Sequence, residues 1–307
     1  MIMVSFYMMV GLPASGKSTA AKRICADYAC DVVVSSDAIR AELYGDEAIQ
    51  GKPNKIFNIV RERIVSAIKD GKDVVMDATN INSKRRAAFL VDVRNRCRGI
   101  DIEAHCVVMA TPVWECIERD YERSRHVGRE VIERMWYQFE VPHKGEGWQF
   151  MHLIYPEGAY LADIDEYADE MRGFDQQNPH HSLDLYDHCF LAAQHLLEER
   201  EDLYDVGMFH DIGKLHTKTF DDKGVAHYYN HDKAGAYVYL TSSLAKEMRN
   251  AYKSEKVLYK AGLICWHMQP YFCNSKEDFY IWALKRGMSR EFVDDIWLLH
   301  EADRRAH

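Results

Sequence analysis

Apolar and polar positions fall into alternating blocks along the first half of the chain. Residues 2–10 form an apolar run that ends at Gly11, the pattern of a strand buried on both faces. Shorter runs of the same kind follow at 31–36, 72–77 and 102–109. Between them, helical patterns cover about 17–29, 54–69 and 83–97. Strands alternating with helices in this way predict a parallel sheet with helices on both faces. A charged helical stretch over 113–139 comes next, and 148–155 reads as a last strand.

The pattern then changes. Residues 156–179 are acidic and punctuated by Pro156, Gly158, Gly173 and Pro179, which reads as a linker with one short helix around 161–171. From 181 onward the chain is almost wholly helical, over 183–199, 202–211, 231–247, 254–267, 275–286 and 289–303. The expected architecture is an α/β domain over 1–156, a linker over 157–178 and an all-α domain over 179–307.

Composition sharpens this division. The 307 residues are 47% hydrophobic and 28% charged, enough for a sizeable core, and a net charge of −9 excludes an indiscriminate polyanion binder. The first 150 residues carry 22 Lys and Arg against 21 Asp and Glu; the rest carry 17 against 27. Four histidines precede residue 179 and eleven follow it, so the halves differ in chemistry. Eight cysteines without a C-x-x-C pair point to a reduced, cytosolic thiol set. The apolar start lacks the basic flank and cleavage site of a signal peptide, and no run approaches the roughly 18–20 apolar residues of a membrane span. A soluble cytoplasmic protein with no membrane partner is expected.

Gly11-Leu-Pro-Ala-Ser15-Gly16-Lys17-Ser18 fits G-x-x-x-x-G-K-[ST] between a strand and a helix. Such a loop turns backbone N–H groups toward phosphate oxygens. ATP and Mg²⁺ are the implied ligands, with Gly11, Ser15, Gly16, Lys17, Ser18 and Thr19 around the phosphates. Lys17 would reach the β- and γ-phosphates and Ser18 would hold Mg²⁺.

Asp37 follows the second strand and should project at the carboxyl edge of the sheet, where it can accept the proton of an acceptor hydroxyl or cap a helix. Arg40, one turn on, could grip an anionic acceptor. Asp77 ends the third strand and could organise Mg²⁺ or orient Arg40. Arg119, Arg123 and Arg125 could neutralise a transferring phosphoryl group. They could also form a solvated face with pairs such as Glu115–Arg119.

Residues 1–155 resemble the polynucleotide 5′-kinases of phage and bacterial end-repair systems. The P-loop, Asp37/Arg40, Asp77/Thr79/Asn80, Arg85-Arg86 and Arg119/Arg123 occur in that family's order. The resemblance implies Asp37 as general base and Arg119 and Arg123 as ATP ligands. It also implies an acceptor site built from Arg40, with Asp77, Thr79, Asn80 and Arg85 beside it.

A second set of residues lies in the helical half. Phe209-His210-Asp211-Ile-Gly213-Lys214 places His and Asp side by side near a helix end, with Gly213 as a C′ residue. His188, His231, His267 and Asp303 accompany them, and Asp184 could orient His188 from one turn away. Mixed imidazole and carboxylate sets suit one or two divalent transition metals, among them Mn²⁺, Ni²⁺, Co²⁺, Fe²⁺ and Zn²⁺.

The order H…HD…H…H…D resembles the HD-domain phosphohydrolase superfamily, and 178–188 looks like the HD domains attached to tRNA CCA-adding enzymes. It implies His188, His210, Asp211 and Asp303 as core ligands, with Asp294 and Asp295 as competitors for the last place. His231 and His267 would complete a second site, and Lys214 would touch a substrate phosphate. A haloacid-dehalogenase phosphatase is not indicated, because Asp163-Ile-Asp165-Glu-Tyr lacks the Gly and Thr of D-x-D-G-[TV].

The pair resembles bacterial kinase–HD end-healing enzymes with the domain order reversed. It implies RNA or DNA ends as substrate: phosphorylation of a 5′-OH, and metal-dependent removal of a 3′-phosphate or 2′,3′-cyclic phosphate. A small-molecule kinase fused to an HD nucleotidase and an ATP-regulated non-catalytic sensor are the rivals. The near-neutral first half favours the former, whereas Arg85, Arg86, Arg94, Arg96 and Arg98 could form a basic rim for nucleic acid.

Overall fold

The computed structural model describes residues 3–27, 30–47, 49, 51–178, 182–251 and 253–306. Pro179, His180 and His181 of the run quoted above lie outside them. The chain divides into two compact units, one of residues 1–135 and 146–159, the other of 136–145 and 160–307.

In the first unit, strands β1 (Met3–Val10), β2 (Val32–Ser35), β3 (Val74–Asp77), β4 (Asp101–Met109) and β5 (Phe150–Ile154) form one parallel sheet in the order β2-β3-β1-β4-β5. Helices α1 (Lys17–Asp27), α2 (Ser36–Tyr44), α3 (Pro53–Lys69), α4 (Ser83–Arg96), α5 (Val113–Glu122) and α6 (Arg129–Trp136) intervene. The central strands are apolar on both sides because both faces are covered. Tyr7 and Met9 pack with Ala21, Ile24, Val75 and Val107, while Val4, Phe6, Met8 and Val10 are also buried.

Register decides where chemistry can sit. Ser35 of β2 lies beside Asp77 of β3, and Met8 of β1 beside Met76. The ends of β1, β2 and β3 therefore bring Gly11, Asp37 and Asp77 to one carboxyl edge, the edge that binds ligands in open α/β sheets. The expected helix over 113–139 is interrupted between Glu122 and Arg129. Buried Asp120 is the cause: its carboxylate accepts the backbone N–H groups of Val127 at 3.0 Å and Gly128 at 2.9 Å, fixing a loop where a helix would otherwise continue.

The second unit contains α7 (Ile164–Met171), α8 (Leu185–Glu199), α9 (Tyr204–Phe209), α10 (Lys214–Thr217), α11 (His231–Leu240), α12 (Ser243–Ala251), α13 (Ser254–Trp266), α14 (Lys276–Leu284) and α15 (Arg290–Arg305). It is not wholly helical. Strands β6 (Lys218–Phe220) and β7 (Ala226–Tyr228) pair antiparallel, joined by a turn in which Asp221 accepts N–H bonds from Lys223 and Val225, each at 2.9 Å. The helix expected over 231–247 is two helices, α11 and α12, because the Thr241 and Ser242 hydroxyls bond backward to carbonyls of the preceding turn.

Gly213 is not a left-handed C′ residue; its φ is −63°. Its lack of a side chain serves a close helix approach instead, since a Cβ there would stand 2.0 Å from the His231 carbonyl oxygen.

Candidate functional site: a phosphate cradle and a histidine–aspartate cluster

The loop from Gly11 to Gly16 is shaped for backbone donors. Ala14 and Gly16 both take positive φ, 60° and 89°, which curls successive N–H groups toward one side. A Cβ on Gly11 would meet Ser15 Oγ at 2.7 Å and Met109 Cβ at 3.1 Å, so a larger residue there would displace the Ser15 side chain and crowd β4. The Thr111 hydroxyl braces it by donating to the Ser15 carbonyl at 2.8 Å. Lys17 is buried, and its ammonium donates to the Leu12 carbonyl at 2.5 Å. Burial penalises its charged form and lowers its pKa to about 8.

Ser18 Oγ donates to Asp77 Oδ2 at 2.7 Å. A hydroxyl and a carboxylate in contact at the cradle's exit are hard oxygen donors and fit Mg²⁺. Asp77 therefore serves the Ser18 side of the cleft. Its alternative expected partner, Arg40, is bound to Asp37 Oδ1 instead. Ser35 caps α2, accepting from the N–H groups of Asp37 at 3.3 Å and Ala38 at 3.4 Å, which leaves the half-exposed Asp37 carboxylate out in the cleft. That cleft, of about 630 Å³, is lined by Ser18, Lys22, Asp37, Asp77, Arg123 and Arg125 among others.

Arg119 lies over the cradle, 3.6 Å from where a Cβ on Gly16 would be, and pairs with Glu115. Arg123 pairs with Asp120 at 3.2 Å, and Arg125 reaches Glu47 at 3.1 Å and Asp37 Oδ2 at 3.6 Å.

In the second unit, α8, α9, α11, α13 and α15 deliver a buried cluster around Asp211. Asp211 Oδ1 faces His231 Nε2 at 3.0 Å and His267 Nε2 at 3.4 Å. Oδ2 faces His188 Nε2 at 3.5 Å and His210 Nε2 at 3.6 Å. Asp303 Oδ1 adds contacts of 3.1 Å to His188 and 3.5 Å to His210. Each imidazole gives its Nδ1–H to a backbone carbonyl: His188 to Ala306 at 2.7 Å, His210 to Gly207 at 2.8 Å, His231 to Tyr228 at 2.6 Å and His267 to Ile264 at 2.7 Å. This commits Nδ1 on all four and turns each Nε2 inward, where it can carry a proton or, in the proton's place, ligate a metal.

Two triads result, His188/His210/Asp211 and Asp211/His231/His267, with donor atoms within 4.8 Å of one another. His210 Nε2 is wholly buried and makes no geometrically sound hydrogen bond, which a coordinated ion would remedy. The donor set fits one or two transition ions. Burial works against charge on His188, but Asp211 and Asp303 outweigh it and raise its pKa to about 10. Burial would also raise Asp211, yet Lys214 and the imidazoles hold it well below the usual carboxylate range.

Residues 6–142 match the AAA_33 family, an AAA domain. The first unit's P-loop and parallel sheet thus make up a P-loop kinase domain of that family. Over 152 residues the chain is 28% identical to L-seryl-tRNA(Sec) kinase of Methanococcus maripaludis, a match covering 46% of this chain and 54% of that one. The chain thus spans about half the length of the curated relative it matches. Among solved structures, a component of the Pnkp1/Rnl/Hen1 RNA repair complex matches with a TM-score of 0.37 and 21% identity, covering 44% of this chain and 43% of its own. A gluconokinase from Sinorhizobium meliloti matches with a TM-score of 0.34 and 13% identity, covering 49% and 82%. The likenesses to these two solved structures say nothing about the acceptor of this domain.

Of the residues anticipated for ATP and acceptor, Thr19, Thr79, Asn80 and Arg85 are not among those that line the cleft. Asn80 gives its amide to the Met9 carbonyl at 2.8 Å, and the Thr79 carbonyl accepts Gly11 N–H at 3.0 Å, so both tie β3 to the cradle's strand. Thr19 is exposed on the first turn of α1, and Arg85 is exposed on α4. The five-arginine rim is largely consumed: Arg86 is buried in a bidentate pair with Glu146 at 2.7 and 2.8 Å, Arg94 binds Gly147 and Gln149, and Arg96 pairs with Glu62.

In the second unit, Asp184 does not orient His188; it caps α8, accepting the Asp187 N–H at 2.8 Å. Of the three C-terminal aspartates, Asp303 reaches the cluster. Asp295 binds Arg200 and Tyr259, and Asp294 binds Tyr280. Lys214 is buried on Asp211 at 2.6 Å and Gln176 at 2.8 Å. Glu47, Asp120, Gln176 and Tyr271 escaped the sequence reading because each meets its partner only through the fold.

Proposed function

We propose that the chain is a bifunctional enzyme of nucleic-acid ends, an ATP-dependent 5′-hydroxyl kinase joined to a metal-dependent 3′-phosphatase or 2′,3′-cyclic phosphodiesterase. What carries the reading is the coexistence in one chain of two constellations. One is a phosphate cradle with an exposed carboxylate in its cleft; the other is a buried His/Asp cluster with one carboxylate shared by two triads. The likeness to a kinase named for a seryl-tRNA substrate supports a hydroxyl acceptor borne on RNA.

In the kinase step, Asp37 accepts the acceptor's proton as that oxygen attacks the γ-phosphorus, and the bond from γ-phosphorus to the β,γ-bridging oxygen breaks to release ADP. Lys17, Arg119 and Arg123 stabilise the charge on the moving phosphoryl group. Ser18 and Asp77 would hold Mg²⁺, which would supply further neutralisation of the phosphate oxygens.

In the helical unit, His188, His210, Asp211 and Asp303 would hold one ion and Asp211, His231 and His267 another. Divalent ions there supply Lewis-acid stabilisation of charge on a phosphoryl group under hydrolysis. Asp211 belongs to both pockets, whereas His231 belongs to one.

A small-molecule kinase joined to a nucleotidase is the second reading, favoured by the loss of Arg86, Arg94 and Arg96 from the basic rim. The experiment offers γ-labelled ATP, Mg²⁺ and a 5′-OH RNA oligonucleotide. Label should pass to the RNA, vanish in Lys17→Ala and Asp37→Asn, and weaken steeply with salt. Bound ATP with no transfer to RNA or matched DNA overturns the end-healing reading in favour of the second.

A further inference from the structure

The four imidazoles of the cluster are aimed by backbone carbonyls, but its two carboxylates are aimed by side chains. Lys214 holds Asp211 Oδ2 at 2.6 Å. Asp303 Oδ2 accepts the Tyr271 hydroxyl at 2.8 Å, and this leaves Oδ1 turned toward His188 and His210. Tyr271 sits in the 3₁₀ turn Gln269–Phe272, just beyond the helix that leads into His267. Buried Pro270 anchors that turn, and the tyrosine ring meets His300 of α15 edge-on, with centroids 4.4 Å apart. Tyr271 as a residue is 43% exposed while its hydroxyl touches the buried carboxylate of Asp303.

We infer that Tyr271 is the positioning residue for Asp303, and that its hydroxyl sets the metal affinity of the His188/His210/Asp211/Asp303 pocket. The inference rests on the reading of the cluster as a metal site. The torsion that turns a carboxylate about its own axis is broad, so packing alone does not hold its plane at one angle. An O–H donor on one oxygen holds that plane and keeps the other oxygen toward the imidazoles. Partners of this kind are worth ten- to hundredfold in metal affinity.

Tyr271→Phe tests this, since it keeps the ring against His300 and removes only the hydroxyl. Full-length protein is freed of metal with a chelator and titrated with Mn²⁺ by calorimetry, in a His231→Ala background so that one pocket is read alone. The expected result is a ten- to hundredfold weaker Mn²⁺ affinity with an unchanged melting temperature before metal is added. Equal affinity in the variant overturns the positioning role while leaving the metal site standing. Weaker affinity with a lowered melting temperature also overturns it, in favour of a packing role. If the unsubstituted chain and the His231→Ala background bind no Mn²⁺, Zn²⁺ or Ni²⁺, the reading of the cluster fails, and the inference with it.

Discussion

Lys17 and Arg86 are both buried cations in one domain, and their surroundings separate them. Arg86 is fully matched: Glu146 takes two of its N–H groups and the Asn80 carbonyl a third at 2.8 Å, while Trp148 donates to Glu146 at 2.9 Å. Lys17 has only neutral acceptors within hydrogen-bond reach and is pulled down to about 8 by burial, with Asp77 acting against the shift. The phosphates of ATP bind the charged form. Affinity for MgATP should therefore hold steady below about pH 8 and decline, by at most tenfold per pH unit, as the lysine loses its proton.

Stability moves the other way. Between about 8 and the ordinary 10.5, the unfolded chain binds the proton that the folded chain has lost, so this residue's cost to stability is relieved as pH rises through that window. Calorimetric titration with MgATP from pH 7 to 9.5 reads the first effect, and Lys17→Met should bind weakly and without that slope. A flat profile for the unsubstituted chain would falsify the account.

At the scale of elements, α10 and α11 approach so closely that Gly213 has no room for a side chain. A Cβ would stand 2.0 Å from the His231 carbonyl oxygen and 2.6 Å from the Gly235 nitrogen. Backbone cannot yield as a flexible side chain does, so Gly213→Ala must push α11 away and carry His231 from Asp211, now 3.0 Å distant. The expected cost is about 3 kcal/mol of unfolding free energy, at the upper end for overpacking. On the proposed reading of the cluster as a metal site, it should come with loss of one metal equivalent, read by metal analysis of the purified protein beside urea unfolding. Unchanged metal content would sink the link between helix spacing and the second pocket.

The same elements show what a sequence can disclose. The cradle was legible because its chemistry is consecutive: Gly11 to Ser18 carries loop, donors and cation in eight residues between an apolar run and a helical period. The central strands β1, β3 and β4 were legible because burial on both faces leaves little alternation to misread. The His/Asp residues could be picked out individually, but their shared orientation depends on four carbonyls from distant turns. The hairpin at 218–228 went unseen because strands of three residues carry no period. The break between α5 and α6 was hidden because Asp120 acts through backbone groups seven and eight residues away.

At the scale of the whole molecule, the polypeptide does not pass once from one unit to the other. It enters the second unit at residue 136, returns at 146 and leaves again at 160, and the family match, ending at 142, cuts across this excursion. Residues 136–145 belong to the second unit for apolar reasons. Trp136, Phe139 and Val141 are buried; Phe139 lies edge-on to Tyr237 at 4.8 Å, and Trp136 Nε1 donates to the Ala234 carbonyl at 3.2 Å. Burial of such side chains is worth roughly 1.5–3 kcal/mol each, and a fragment ending at 156 surrenders it while leaving the apolar surface in water. Glu146, the next residue, is committed to Arg86, so the segment cannot be trimmed from one end without disturbing the sheet's partner helix α4. A fragment of residues 1–159 should therefore aggregate, and replacing 136–145 in it with ten Gly and Ser residues should raise its soluble yield several-fold while preserving ATP binding. Equal aggregation of the two fragments would show that the excursion is not what ties the kinase domain to the rest of the chain.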